Sequence, residues 1–222
     1  MSLIIVYSMQ ITSDNISDQA ADAIREMIVD GTLTDGDRIN EVRLAATLGV
    51  SRTPLREGLA RLVAQGAVTT EPRRGFFVAP LTLTEFEQVY GIRPILDPEA
   101  LRLAGIPSQE SLARLEKLNR NLLSTKTPAA AIDIDNAWHM ELLAGCPNKV
   151  LIGLIQQMID RTRRYEHALF RETENLWVAG NEHDLIMTAL RDNDLATACA
   201  MLKQNMESGI EPIVDWLAQR AA

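Results

Sequence analysis

The stretch that decides the fold is Leu44-Ala-Ala-Thr-Leu-Gly-Val-Ser-Arg-Thr-Pro-Leu-Arg-Glu-Gly-Leu-Ala-Arg-Leu62. Its apolar spacing predicts two helices that are separated only by a turn at Gly49-Val50. Ser51 or Thr53 can cap the second of these helices, and Pro54 is tolerated in a first helical turn because its missing N–H is not needed there. A connection this short predicts a helix-turn-helix.

The flanking sequence supplies the other elements of a winged helix. An apolar stripe predicts a first helix over about 14–30, and Gly66 ends the third helix. Residues that favour β structure at 68–70 and 76–78 flank Glu71-Pro-Arg-Arg-Gly75, which predicts a hairpin with a basic tip. In a winged helix-turn-helix the third helix enters the major groove of DNA, and the hairpin tip touches the backbone or the minor groove.

The global charge argues against a nucleic-acid partner, whereas the local charge favours one. The 222 residues include 22 Lys and Arg against 30 Asp and Glu, so the formal net charge is −8. Between positions 43 and 74, however, six arginines outnumber two acidic residues, and this window carries +4. Arginine pairs bidentately with guanine or with phosphate. The six are Arg43, Arg52, Arg56, Arg61, Arg73 and Arg74.

Two of these arginines depend on the geometry of the third helix. Arg52 and Arg56 are four residues apart and share a face, but they border the leucine stripe at Leu55 and Leu59. They reach DNA only if the N-terminal end of this helix protrudes from the core. Because the positive patch is modest, we expect DNA affinity to rely on a dimer and to fall steeply with salt.

The second half of the chain predicts helix throughout. The approximate helical spans are 82–105, 108–124, 129–145, 147–170, 172–191 and 194–219, with interruptions at Pro94 and Pro98. An all-helical bundle after a winged helix indicates ligand sensing or dimerisation, because bundles build sites from facing helices. The predicted fold is therefore mainly α, with an N-terminal arm (1–13), a winged helix (14–80) and an about six-helix domain (82–220).

Cysteine usage and hydropathy point to a cytoplasmic protein. Cys146 and Cys199 form neither a disulfide framework nor a metal-binding pair, so we expect free thiols in a reducing compartment. No apolar run reaches the roughly 18 residues that a membrane span needs.

A group of polar residues in the helical half has the spacing of a metal site. Asp135 and His139 are four residues apart, hence on one face of one helix. His183 and Asn205 lie on either side of a predicted turn at Asn193, at similar distances from it. A carboxylate with imidazoles in a helical core suits a divalent transition metal. Spacing alone leaves open that these histidines lie at the surface or are hydrogen-bonded in the core.

The first half resembles the GntR family of bacterial transcription regulators over about residues 14–80. Gly49-Val-Ser-Arg-Thr-Pro-Leu-Arg-Glu57 carries the resemblance most specifically, with support from Gly36-Asp-Arg-Ile-Asn-Glu41 and Pro72-Arg-Arg-Gly75. One departure is Gly58, where the family usually has alanine, and we expect it to cost up to about 1 kcal/mol of helix stability. The resemblance and the basic hairpin tip together predict DNA contacts at Arg43, Arg52, Thr53, Arg56, Arg73, Arg74 and Gly75.

The second half resembles the FCD ligand-binding domain of the FadR subfamily over about residues 82–218. Asp135-Asn-Ala-Trp-His139, then His183 and Asn205, follow that domain's pattern of Asp-x-x-Phe-His, a later His and a final His. The resemblance implies a divalent ion (Zn, Ni, Mn or Fe) as cofactor, held by Asp135, His139, His183 and Asn205. Asn205 replaces an imidazole with an amide oxygen, which is the weaker ligand for Zn²⁺.

The same resemblance implies an effector-binding role for Arg93, which would pair with the carboxylate of a small organic acid. Pro94 disfavours helix at Arg93, and Asp97 stands where the family usually has Glu, so a structural salt bridge stays open as the alternative. A second basic cluster predicts a solvated helix face, with an inward-facing anion pocket as the alternative. It comprises Arg161, Arg163 and Arg164.

Together these features predict a homodimeric DNA-binding transcription regulator, in the simplest case a repressor, whose operator binding responds to a small organic acid. We do not expect an enzyme, because no acid/base pair or nucleophile constellation accompanies the metal site. Two alternatives remain open. One is a DNA-binding regulator whose helical domain only dimerises, and the other is a metal-dependent enzyme fused to a DNA-binding module.

Overall fold

The computed structural model describes residues 14–173 and 180–220 of the chain. These residues form two compact units that divide between Pro80 and Leu81, and each unit has its own apolar core. The N-terminal arm predicted at 1–13 lies outside the described residues. Among the helices that are described, none combines the length and the apolar character of a membrane span.

The first unit has the predicted winged helix-turn-helix order. Three helices precede an antiparallel hairpin in which Val68 lies opposite Val78 and Glu71 opposite Gly75. Leu55, Leu59 and Leu62 of the third helix are fully buried. The elements are α1 (Asp14–Val29), α2 (Glu41–Leu48), α3 (Arg52–Ala64), β1 (Val68–Glu71) and β2 (Gly75–Val78).

The turn between α2 and α3 follows from local sequence. The Asn40 side chain caps α2 by accepting a hydrogen bond from the Arg43 amide. Gly49 ends α2 with φ of 66°, a left-handed conformation that glycine adopts without steric cost. Ser51 occupies the N-cap position of α3 in an extended conformation, without a side-chain capping bond, while Thr53 lies inside the helix. The expected side-chain cap of α3 is therefore absent at both positions.

Gly58 has a packing role that helix propensity does not reveal. It lies where α3 crosses α1, and a Cβ there would come within 2.9 Å of the Ser17 carbonyl oxygen and 3.1 Å of the Ala21 amide nitrogen. Both neighbours are backbone atoms of α1, so neither can turn aside as a side chain would. The glycine therefore permits the close approach of the two helices.

We expect Gly58→Ala to lower the free energy of unfolding by about 1–3 kcal/mol, the usual cost of overpacking. Helix propensity alone predicts a gain of up to about 1 kcal/mol. Gly153→Ala, in an open position of a long helix, is the matched control and should gain stability because nothing lies within 4 Å of its Cβ. Urea unfolding of the full chain measures both variants, and a more stable Gly58→Ala protein would contradict the close packing.

The second unit is all-helical, with eight helices in its described residues instead of about six. Two predicted helices are each broken in two, at Gly91-Ile92 and at Gly209-Ile210. Of the predicted span 172–191, the structure describes residues 172–173 and 180–191. The helices are α4 (Leu83–Tyr90), α5 (Arg93–Ala104), α6 (Gln109–Ser124), α7 (Pro128–Leu142), α8 (Lys149–Thr173), α9 (Gly180–Arg191), α10 (Leu195–Ser208) and α11 (Glu211–Arg220).

The prolines and the turn at Asn193 explain where these helices begin and end. Pro94 lies in the first turn of α5, where its missing N–H needs no partner, and Pro98 lies inside α5 without ending it. The predicted turn at Asn193 is confirmed, with φ of 59° between α9 and α10. The core between the helices includes fully buried Trp138.

Candidate functional site

A groove on the first unit is bordered by arginines around one half-buried carboxylate, that of Glu41. Oε2 of Glu41 lies 3.4 Å from Nε of Arg56 and 4.0 Å from Nη2 of Arg52. The two arginine side chains are nevertheless 59% and 64% exposed, so the N-terminal end of α3 presents them outward. The arginines that line the groove are Arg38, Arg52, Arg56, Arg73 and Arg74.

The tip of the hairpin folds toward this groove. Gly75 has φ of 96°, and a Cβ on it would lie 3.9 Å from Oε1 of Glu41. Arg73 also has a positive φ, 66°, which non-glycine residues rarely adopt. Arg74 pairs with Glu71, and its guanidinium lies 5.1 Å from the ring centre of Phe77. The wing thus carries two exposed arginines at the edge of the groove.

Two arginines of the basic window, Arg43 and Arg61, do not line the groove. Arg43 is exposed in the first turn of α2, as Thr53 is in α3. Arg61 instead pairs with Asp18 of α1. Arg38 was missed by the sequence reasoning, although it lines both parts of the groove and its backbone bridges to Phe77 of β2. Its only signal was its place in the Gly36–Glu41 segment.

In the second unit, three of the four predicted metal ligands meet. Asp135 and His139 lie on α7, and His183 lies on α9. One ligand atom from each residue lies within 4.8 Å of the others. Nε2 of His183 is 3.4 Å from Oδ1 of Asp135, and Nε2 of His139 is 3.7 Å from Oδ2. The gap between these atoms suits an ion better than direct hydrogen bonds.

Both histidines are buried with unused ring nitrogens. Within the described part of the chain, Nε2 of His183 and both ring nitrogens of His139 have no hydrogen-bond partner. Burial lowers the pKa of His183 to about 3 and holds the pKa of His139 well below its usual value. Both imidazoles are therefore neutral at pH 7, the form that binds metal ions. This donor set fits a divalent transition metal.

The Asp135 carboxylate has more negative than positive charge around it, since Glu166 and Glu182 oppose Arg93. Burial and the negative charge of the nearby Glu166 together raise the pKa of Asp135 to about 7, although the positive charge of Arg93 acts in the opposite direction. A divalent ion between Asp135 and the two histidines would supply the missing positive charge.

A further set of contacts fixes the ring of His183. Nδ1 of His183 lies 3.2 Å from Oδ1 of Asn119, and Nδ2 of Asn119 donates to Oδ1 of Asp184 at 2.8 Å. Because the Asn119 amide is oriented in this way, Nδ1 of His183 carries the proton and Nε2 keeps its lone pair toward Asp135. The indole of Trp138 stacks on the imidazole, with ring centres 3.6 Å apart. A lone asparagine on α6 gave no sequence signal for this role.

The fourth predicted ligand, Asn205, is buried on α10. Its Nδ2 donates to Oε2 of Glu182 at 2.6 Å, and its Oδ1 has no hydrogen-bond partner among the described residues. The amide is thus turned so that its oxygen is the unused atom, which is the atom that a metal ion would need. Ligation by Asn205 stays a prediction.

Asp135 also lines a cavity of about 60 Å³ that Arg93, Tyr90 and Glu166 border. Contrary to the expectation from Pro94, Arg93 is the first residue of helix α5. It donates to Asp97 at 2.8 Å, and the two side chains are 2% and 0% exposed, so the alternative of a buried salt bridge is present. Nε of Arg93 has no partner in the described residues. Arg93 therefore combines the salt bridge with a place on the cavity wall.

The expected solvated face of the second basic cluster is wrong. Arg163 pairs with Asp133 at 2.7 Å, and Arg161 pairs with Glu85 at 2.8 Å. Arg164 also pairs with Glu85, and its side chain is only 3% exposed. The cluster joins α8 to α7 and to the first turn of α4, so its charges are used within the helical unit.

Comparison with known proteins gives matches to both units. Residues 16–78 match the bacterial regulatory proteins of the gntR family, and residues 88–208 match the FCD domain. The Nta operon transcriptional regulator of Aminobacter aminovorans is 28% identical over 183 residues, which cover 81% of this chain and 86% of that protein. The HTH-type transcriptional repressor GlaR of Escherichia coli is 23% identical over 203 residues, with 86% and 92% covered.

A solved structure supports the fold. The structure of E. coli McbR/YncC is similar with a TM-score of 0.75 and 23% sequence identity, and the match covers 93% of this chain and 99% of that one. At this identity the likeness shows a common fold.

Proposed function

The chain belongs to the GntR family of bacterial regulatory proteins that carry an FCD domain, and within this family we propose that it is a repressor whose operator binding responds to a small organic acid. It is a DNA-binding transcription regulator, as its relatives are. The observation that carries the proposal is the arginine-bordered cavity beside three residues that can hold a metal ion.

In the proposed DNA complex, the N-terminal end of α3 enters the major groove with Arg52 and Arg56. The wing arginines Arg73 and Arg74 contact phosphates or the minor groove. Glu41 lies within ion-pair distance of both helix arginines, so it restricts their guanidinium groups before DNA arrives. Two copies of the chain, as a homodimer in the cytoplasm, would each read one half-site of a near-palindrome.

In the helical unit, Asp135, His139, His183 and Asn205 would hold a divalent ion, which supplies a positive charge that attracts a carboxylate. Arg93 borders the same cavity, and its Nε has no partner among residues 14–173 and 180–220, so its guanidinium can bind a second part of the acid. The cavity is small, with a volume of about 60 Å³, so we expect a small acid as the effector.

The residues that line the cavity include residues of the first two helices of the helical unit. The cavity wall includes Tyr90 of α4 and Arg93 of α5. Glu85, in the first turn of α4, is held by Arg161 and Arg164 of α8. An acid that binds one arrangement of these helices more tightly than another would shift α4, the first helix after the winged unit, and thereby operator affinity.

The test is a thermal-shift screen of small organic acids against the full chain, after chelation and after reloading with Zn²⁺, Ni²⁺ or Mn²⁺. We expect at least one acid to raise Tm only in the metal-loaded protein, since ligand at 100 times Kd contributes about 2.7 kcal/mol. Arg93→Ala should bind metal normally and lose the acid response. An acid response that is equal without metal, or intact in Arg93→Ala, would contradict the site.

Repression is proposed because the relative GlaR is a repressor by name. A reporter fused to the promoter that the protein binds should be more active in cells that lack the protein. Lower reporter activity in those cells would show that the protein is an activator of this promoter.

A further inference from the structure

The groove on the first unit contains a carboxylate that attraction to DNA does not require. Glu41 lines both parts of the groove, and its side chain is 17% exposed. It is the first residue of α2, where the helix dipole stabilises a negative charge. Its Oε1 lies near the wing tip, 3.9 Å from the position that a Cβ on Gly75 would take. A negative charge weakens the attraction between the groove and phosphates, so Glu41 does not serve to raise the affinity for DNA in general.

The second oxygen of Glu41 is placed to hold an arginine that reads a base. Oε2 is shielded from solvent and accepts no hydrogen bond in the described part of the chain. Nε of Arg56 lies 3.4 Å from it, so a small movement of this guanidinium would supply the donor that a buried acceptor needs. An arginine that contacts guanine through its two terminal nitrogens leaves Nε–H unused. Glu41 can therefore hold Arg56 while the terminal nitrogens contact a base.

The same carboxylate opposes the contacts that do not depend on sequence. An arginine can bind a phosphate through Nε and one terminal nitrogen, but Nε of Arg56 lies beside Glu41, as does Nη2 of Arg52 at 4.0 Å. A phosphate at these atoms would meet a carboxylate of like charge. Binding to random DNA depends on phosphate contacts, whereas binding to an operator adds base contacts. Glu41 therefore weakens binding to random DNA more than binding to an operator.

We propose that Glu41 determines specificity in the groove, because its carboxylate directs the terminal nitrogens of Arg52 and Arg56 toward base edges and keeps phosphates from their inner nitrogens. Glu41 is thus a positioning residue that acts through these two arginines. This inference rests on the proposed function, since it takes Arg52 and Arg56 as the residues that read bases. A binding site gains specificity from repulsion of the wrong partner as well as from attraction of the right one.

The experiment compares two labelled duplexes of equal length and base composition by fluorescence anisotropy with the full chain. One duplex is selected from a random library by the wild-type protein, and the other has the same bases in scrambled order. In Glu41→Gln, the affinity for the scrambled duplex should rise about 3- to 10-fold more than the affinity for the selected duplex, because two ion pairs near the surface are lost. The salt dependence of scrambled-duplex binding should also steepen by about 1–2 in log–log slope, one unit for each phosphate gained.

Two further variants separate position from charge. Glu41→Ala also removes the acceptor for Nε of Arg56, so it should in addition weaken binding of the selected duplex by about 3- to 10-fold, the range of one hydrogen bond. Glu57→Gln is the matched control, since Glu57 is exposed on α3 and does not line the groove. It makes the same charge change and should leave the ratio of the two affinities within about 2-fold of the wild-type ratio.

The arginine background distinguishes the inference from its premise. In a protein with Arg52→Ala and Arg56→Ala, adding Glu41→Gln should leave the ratio of the two affinities unchanged. An unchanged ratio in Glu41→Gln alone, or an equal fall in Glu57→Gln, would overturn the role of Glu41 and leave the reading arginines standing. If the protein without both arginines binds the selected duplex as tightly as the wild type, the proposed reading of DNA by α3 is itself wrong.

Discussion

Arg52→Ala combined with Arg56→Ala is expected to weaken operator binding by 100-fold or more. Each arginine that reads a base edge contributes about 1–3 kcal/mol, and both side chains lie exposed at the N-terminal end of α3. Loss of base readout should reduce specific binding more than binding to random DNA. The measurement is fluorescence anisotropy with DNA that the wild-type protein has selected from a random library, at two salt concentrations.

Arg61→Ala is the matched control for this pair. Arg61 is on the same helix, but it pairs with Asp18 of α1 and lies outside the groove. Its removal should change operator affinity by less than about 3-fold. A double variant that binds as tightly as the Arg61→Ala protein would exclude α3 as the reading helix.

His139→Leu and His183→Leu are each expected to lower the affinity for a divalent ion by more than 100-fold. Each variant removes one of the three donors that cluster in the described residues, and Nε2 of each ring has no hydrogen-bond partner there. Asn119→Ala should lower the affinity for the ion by about 10- to 100-fold. This variant removes the acceptor that orients the His183 ring, but it removes no metal ligand. His167→Leu is the control, since this third histidine of the chain is not in the cluster.

Local signals explain how much of the first unit could be predicted. The winged helix follows from short-range sequence features, such as the left-handed Gly49 between two apolar stripes and the hairpin around Arg73. The close contact at Gly58 was not predictable, because it depends on where α1 crosses α3. Arg38 was missed for a similar reason, since its place in the groove comes from a backbone bridge to a strand about 40 residues later.

Long-range contacts explain what failed in the second unit. The breaks at Gly91-Ile92 and Gly209-Ile210 fall within otherwise helical sequence, where a single glycine is often tolerated. The sequence predicts that Arg164 lies on an exposed helix face, but its side chain pairs with Glu85, which lies 79 residues earlier in the chain. The proximity of Asp135 and His139 could be predicted from their spacing, because both are on one helix. Asn119 and Glu166 reach the same region from other helices, and no local pattern marks them.

The most direct test of the metal-dependent sensor is calorimetric titration of Zn²⁺, Ni²⁺ and Mn²⁺ into the chelator-treated full chain. The predicted result is one tightly bound ion per chain in the wild type and in His167→Leu, with that binding lost in His139→Leu and His183→Leu. No tight binding by the wild type, or unchanged binding in the His139 and His183 variants, would contradict the assignment of this site.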